Sequence, residues 1–165
     1  MKRFLVPTSA FSLVEVTLAL GVAAFCLMAV FGLMPVGVQT HRNATSQTRA
    51  TNYIAEVIED LRATNKAVPN SSLFLINIPT DPRSPVDPPP CSGSQTFYLD
   101  GEGRLVFSPA DYRYRAVVTF VKNPNATATM GATFAKVRVS WPASVDPCAT
   151  RPSGSVEMFA AIDRR

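Results

Sequence analysis

The sequence predicts an α+β protein. A long N-terminal helix, apolar in its first half and amphipathic in its second, packs on an antiparallel β-sheet that forms a globular head. Three observations carry that expectation. An apolar run from Phe11 to Val38 holds a single charge, Glu15. Apolar residues then recur at helical spacing as far as Leu61. From Thr96 onward, several segments alternate apolar and polar residues and are separated by glycine or proline.

The first element is the apolar run. Its 28 residues reach about 40 Å as a helix, enough to cross a hydrocarbon core of about 30 Å. Ahead of it lies the leader 1–10, whose cations Lys2 and Arg3 favour the cytoplasmic side. A secretory signal places its small residues after the apolar core. Here Ser9 and Ala10 come before it. A cut after Ala10 therefore leaves the hydrophobic segment on the mature chain. An uncleaved signal anchor fits the hydropathy equally well. Glu15 is the residue that plain anchoring does not explain, because a carboxylate near the bilayer centre costs about 2.5–3.5 kcal/mol and calls for a partner.

The run Ala10-Phe11-Ser12-Leu13-Val14-Glu15-Val16 resembles the processing and methylation site of type IV prepilins and type II secretion pseudopilins. In that family a short basic leader ends in a small residue, followed by Phe, a small polar residue, two aliphatics and Glu. The resemblance implies cleavage after Ala10 by a membrane-embedded prepilin peptidase/methyltransferase, N-methylation of Phe11, and other pilin or pseudopilin subunits as partners. Glycine is usual before the cut, and Ala10 departs from that. The new amine at Phe11 and Glu15 of a neighbouring subunit then form an assembly pair, which fixes axial register more than it adds net stability. The same resemblance implies a pilin-like minor subunit, single-pass in the inner (cytoplasmic) membrane, with its head periplasmic or extracellular. Its divisions are a leader 1–10, a transmembrane and assembly helix 11–38, and an amphipathic helix plus sheet head 39–165. The strand ending in Val139-Ser140-Trp141-Pro142 is similar to minor pseudopilins, and the whole layout resembles the Verru_Chthon cassette protein B family of prepilin-like proteins. The competing reading is a membrane-anchored binding module for a ligand or DNA that never polymerises.

Pro35 removes one helical hydrogen bond, so a kink or local melting is expected over 34–37. Beyond it, His41 to Ala63 reads as amphipathic helix: Ala50, Ile54, Val57, Ile58 and Leu61 form a stripe, and Arg49, Glu56, Glu59, Asp60 and Arg62 lie mostly elsewhere. Asn65 to Asn70 is a turn, and Leu73 to Ile78 reads as a first strand. Pro79 to Gln95 carries six prolines and reads as an extended surface loop. Thr96–Leu99 and Arg104–Phe107 form a hairpin around Asp100-Gly101-Glu102-Gly103. Tyr112 to Lys122 places Tyr112, Tyr114, Ala116, Val118 and Phe120 on one face, with Arg113 and Arg115 on the other. After the turn Asn123-Pro124-Asn125, Thr133 to Trp141 sets Ala135, Val137, Val139 and Trp141 opposite Phe134, Lys136, Arg138 and Ser140. A last strand covers 155–162. Four or five such strands joined by hairpins make one antiparallel sheet.

The remaining signals bear on chemistry. The formal charge of +4 includes the two leader cations, and the other cations are scattered, so no nucleic-acid partner is expected. The sequence holds no phosphate-cradling glycine loop, no nucleophile with histidine at hand and no His/Cys cluster, so neither catalysis nor a cofactor is expected. His41 is the lone histidine, and no metal role is expected for it. Asp100 and Glu102 are too few ligands for calcium, which takes six to eight oxygens, so turn chemistry is the better account. Cys26 reads as a small buried hydrophobe. Cys91 and Cys148 lie in polar loops of a domain that an oxidising compartment would allow to pair them, although the sequence does not show that they meet.

Overall fold

The computed structural model describes residues 12–83, 95–127 and 130–164. One helix, α1 (Leu13–Ala63), is followed by five strands: β1 (Gln95–Leu99), β2 (Leu105–Val106), β3 (Tyr114–Val121), β4 (Thr133–Trp141) and β5 (Gly154–Ile162), with a single 3-10 turn at Pro109–Asp111. The protein is α+β. By compactness it falls into two units, Met1–Arg42 and Asn43–Arg165.

In the first unit, the described residues belong to the apolar half of α1. Leu13, Leu18, Phe25, Met28, Phe31 and Leu33 are all exposed. A helix this long and apolar is able to span a membrane. The melting expected around Pro35 does not occur, since α1 stays helical through that residue. Proline deletes one bond of the ladder, and the turns on either side keep theirs. Cys26, expected to be buried within the membrane-crossing run, is free and exposed in the protein taken alone, so its cover would be lipid or a partner.

The second unit holds the core. Ala50, Ile54, Val57, Ile58 and Leu61 are buried as the helical spacing predicts, and Tyr53 joins them. They pack against Phe97 and Leu99 of β1, Tyr114, Ala116, Val118 and Phe120 of β3, and Ala135, Val137 and Val139 of β4. Fully burying an Ile, Leu or Val side chain contributes about 1.5–3 kcal/mol, so the stripe from Ile54 to Leu61 is enough to hold the helix on the sheet.

The sheet order is β2-β1-β3-β4-β5, with every neighbouring pair antiparallel. β3 and β4 alternate buried and half-buried residues along nearly their full length, the signature of a sheet with one covered face. Tyr112 is the exception to the expected face. It lies before β3, and its ring stacks on Tyr98 at 4.0 Å between centroids. Register along β4 and β5 runs unbroken from Thr133↔Ile162 to Trp141↔Gly154. Among the described residues β5 is an edge strand of the sheet, and its Met158 and Phe159 are exposed. Gly154 is required where it is, because a Cβ there would collide with the ring of Trp141.

The expected strand at Leu73–Ile78 is not a strand. Phe74, Ile76 and Ile78 are buried in alternation, as a strand's side chains would be, but no ladder forms. Pro69–Ile78 is instead a miniature hairpin. The Ile78 N–H donates to Pro69 O at 2.7 Å, the Ser71 N–H donates to Ile76 O at 2.9 Å, and Asn70 bridges Asn77. Its outer side is finished by one side chain: the Gln95 amide accepts from the Asn77 N–H at 2.7 Å and donates to Asn77 O at 2.6 Å. A glutamine thereby stands in for one ladder pair.

Candidate functional site

The sequence singles out the start of α1. Ser12 precedes the helix, and its carbonyl accepts from the N–H groups of Glu15 and Val16 at 3.0 and 3.2 Å. Glu15 sits in the first helical turn. An acid there faces the unpaired N–H groups of the helix end, which favour negative charge, and Ser12 and Glu15 have the S-x-x-E spacing of a capping box. The resemblance implies an intermolecular role for Glu15, and an acid in the first turn also sits in the favourable field of the helix end. Ala10 and Phe11, the residues expected to flank a cut and to carry an assembly amine, lie outside the described residues.

In the head, the expected hairpin turn is closed by its own side chain. Asp100 Oδ1 accepts from the N–H groups of Glu102 and Arg104 at 2.7 and 2.9 Å. Partial burial pushes the Asp100 carboxyl up. The Arg104, Glu102 and Gly103 N–H groups and the Arg104 charge outweigh that push and leave the carboxyl below its ordinary value. The carboxylate is thus turned onto the loop's own backbone, as turn chemistry requires. The turn is pinned to α1 by Tyr53, whose hydroxyl donates to Gly101 O at 2.7 Å, and by Arg49 at 3.2 Å. Burial raises the Tyr53 phenol above its usual value, with Tyr114 adding to the effect. Gly103, at φ +88°, is obligatory because a Cβ would enter the Tyr53 ring.

Arg115 lies on the outer face of the sheet, as alternation predicts, under the segment after β4. Its Nη2 donates to Asp146 at 3.3 Å, its guanidinium stands 6.0 Å from the centre of the Tyr98 ring, and its Nε is buried without a partner. Cys148, two residues beyond Asp146, is disulfide-bonded. Its expected partner, Cys91, lies outside the described residues, as does most of the proline-rich loop. Among the described residues, no three of His, Cys, Asp and Glu converge as metal ligands.

Two features escape sequence reasoning. Asp60, placed among the solvent-facing residues by the helical wheel, is buried. Its carboxylate accepts from Ser72 Oγ at 3.1 Å, from the Leu73 N–H at 3.2 Å and from the Phe74 N–H at 3.1 Å. It braces the tip of the miniature hairpin. At that tip Phe74 turns inward against Phe97, while Leu73 and Leu75 point out, 66% and 60% exposed. Leu75 has φ +55°, a conformation that costs a side-chain-bearing residue about 1–2 kcal/mol. The sequence signal for the first feature is weak: a single acid near the end of an apolar stripe. For the second there is none. Compared with protein-family models, curated proteins and solved structures, the chain matches none.

Proposed function

We propose that the protein is a minor pilin or pseudopilin. It is inserted in the inner membrane by the apolar half of α1, cut after Ala10, N-methylated at Phe11 and drawn into a type IV pilus-like or type II secretion filament. The observation that carries this reading is Glu15, one acid at the head of the otherwise apolar first half of α1, a stretch long enough to span a bilayer. Hydrolysis of the Ala10–Phe11 peptide leaves a carboxylate on the leader and an ammonium on Phe11, which is the counter-charge the acid lacks. Removing both charges from water offsets most of their attraction, so the pair acts as a register pin for the neighbouring subunit. The α+β head, with its helix stripe buried on an antiparallel sheet, is compatible with a pilin-like subunit.

The test is intact mass followed by recruitment. The membrane-extracted chain is expected to lack residues 1–10 and to carry one added methyl group. Replacing Glu15 with Leu should leave insertion and cleavage intact and abolish incorporation into filaments, while Glu15→Gln, which keeps the hydrogen-bonding shape at the helix start, should also fail. Normal incorporation of Glu15→Gln would falsify the charge pairing. A chain that still begins at Met1 leaves only a tethered head.

A further inference from the structure

A helix in a protein owes most of its stability to the face it buries, and one polar stretch of α1 buries almost none. Residues 39–49 are exposed except for the half-buried Ser46. Ala44 is the one apolar residue among them, set against Thr40, His41, Asn43, Thr45, Ser46 and Thr48, all weak helix formers. No acid stands between Glu15 and Glu56, so neither Arg42 nor Arg49 has a carboxylate three or four residues away to brace the helix. The Thr40 hydroxyl donates to Val36 O at 2.9 Å and the Thr48 hydroxyl to Ala44 O at 3.1 Å. Such back-bonds compete with the ladder for its carbonyls. Pro35, about one turn upstream, takes a further N–H out of that ladder.

The support returns abruptly. Arg49 Nη1 and the Tyr53 hydroxyl both donate to Gly101 O, at 3.2 and 2.7 Å, and Ala50, Tyr53 and Ile54 are buried. We propose that residues 39–49 are a hinge, a part of α1 that opens and recloses locally while the helix on either side stays formed. The grip of Arg49 and Tyr53 on Gly101 sets its far limit, because beyond it every opened turn has to leave the core. The weak point of α1 is then not Pro35 itself but the polar turns that follow it. Opening there frees the head to turn about the apolar half of the helix without disturbing a single buried residue of the head. The inference goes beyond the filament reading and holds equally for a tethered head.

The test is amide hydrogen exchange on the full-length chain in detergent. Amides of residues 42–49 are expected to exchange at least about a hundredfold faster than those of 54–61, whose opening requires unfolding of the head. Replacing Thr40, Thr45 and Thr48 together with Ala, the best helix former, should slow exchange over 42–49 about tenfold and leave 54–61 unchanged. Tyr53→Phe, which keeps the buried ring and loses the bond to Gly101, should carry the fast window about one turn further towards Ile54. Comparable protection in 42–49 and 54–61 would overturn the hinge, and so would a triple variant that exchanges no more slowly. A fast window that already runs through 54–61 in the native chain, or one that Tyr53→Phe leaves unmoved, would overturn the limit set at Gly101. None of these outcomes depends on whether residues 1–10 are removed, so the hinge and the filament reading fail separately.

Discussion

Asp60 shows how one residue can hold a whole loop. Its carboxylate serves one hydroxyl and two backbone N–H groups, and its removal strips all three donors of that acceptor. Of the three, the Phe74 N–H is the buried one, and a buried donor left unsatisfied costs about 1–3 kcal/mol. Asp60→Ala is therefore expected to destabilise the head by roughly 3 kcal/mol in urea unfolding. Asp60→Asn, which keeps one acceptor oxygen, should lose less than half of that. Equal losses for the two would mean that the hydrogen bonds are not the source of the effect. The helical wheel could not foresee this role. A wheel sorts residues by direction, and Asp60 is buried because the loop brings donors to its side of the helix. Tyr53 is likewise absent from the predicted stripe, although its ring and hydroxyl fasten the hairpin turn at Gly101 and Gly103.

At the scale of elements, what could be read in advance was whatever periodicity dictates. The amphipathic part of α1, the hairpin of β1 and β2, and strands β3, β4 and β5 all lie within two residues of where alternation and turn residues place them. The failure at Leu73–Ile78 is instructive because its alternation is real: Phe74, Ile76 and Ile78 do point inward. Alternation reports which side is buried and says nothing about whether a second strand is present to complete the ladder. Here the missing pair is provided by the Gln95 side chain. Gln95→Leu should cost about 1–2 kcal/mol for the two lost bonds, and amide exchange at Asn77 should quicken while exchange in β3 is unchanged. Protection retained at Asn77 would mean that the miniature hairpin stands without that amide. The long helix was legible from the apolar run, and the place of Glu15 in its first turn became visible only with the structure.

For the whole molecule, the division at Arg42 separates two kinds of stability. The described apolar half draws on no burial among the described residues, whereas Asn43–Arg165 carries the entire core. A chain beginning at Asn43 is expected to fold as a soluble head, with a cooperative urea transition whose midpoint lies close to that of the same head in the full-length protein in detergent. A broad, non-cooperative transition would show that the apolar segment contributes to the head's stability. The long β5 edge bears on how that head behaves alone. Its nine residues carry neither proline nor bulge, and no other strand among the described residues pairs with its outer side, a template that invites association.

That edge also comes with its own gauge. The chain has one tryptophan, and its indole lies against the backbone of Gly154 at the seam where β5 joins the sheet, with its N–H out of reach of solvent. Light emitted by the native protein therefore originates at the joint of the outermost strand. Peeling β5 away should shift that emission to longer wavelength before the rest of the head comes apart, so the fraying of this border can be followed without attaching any label.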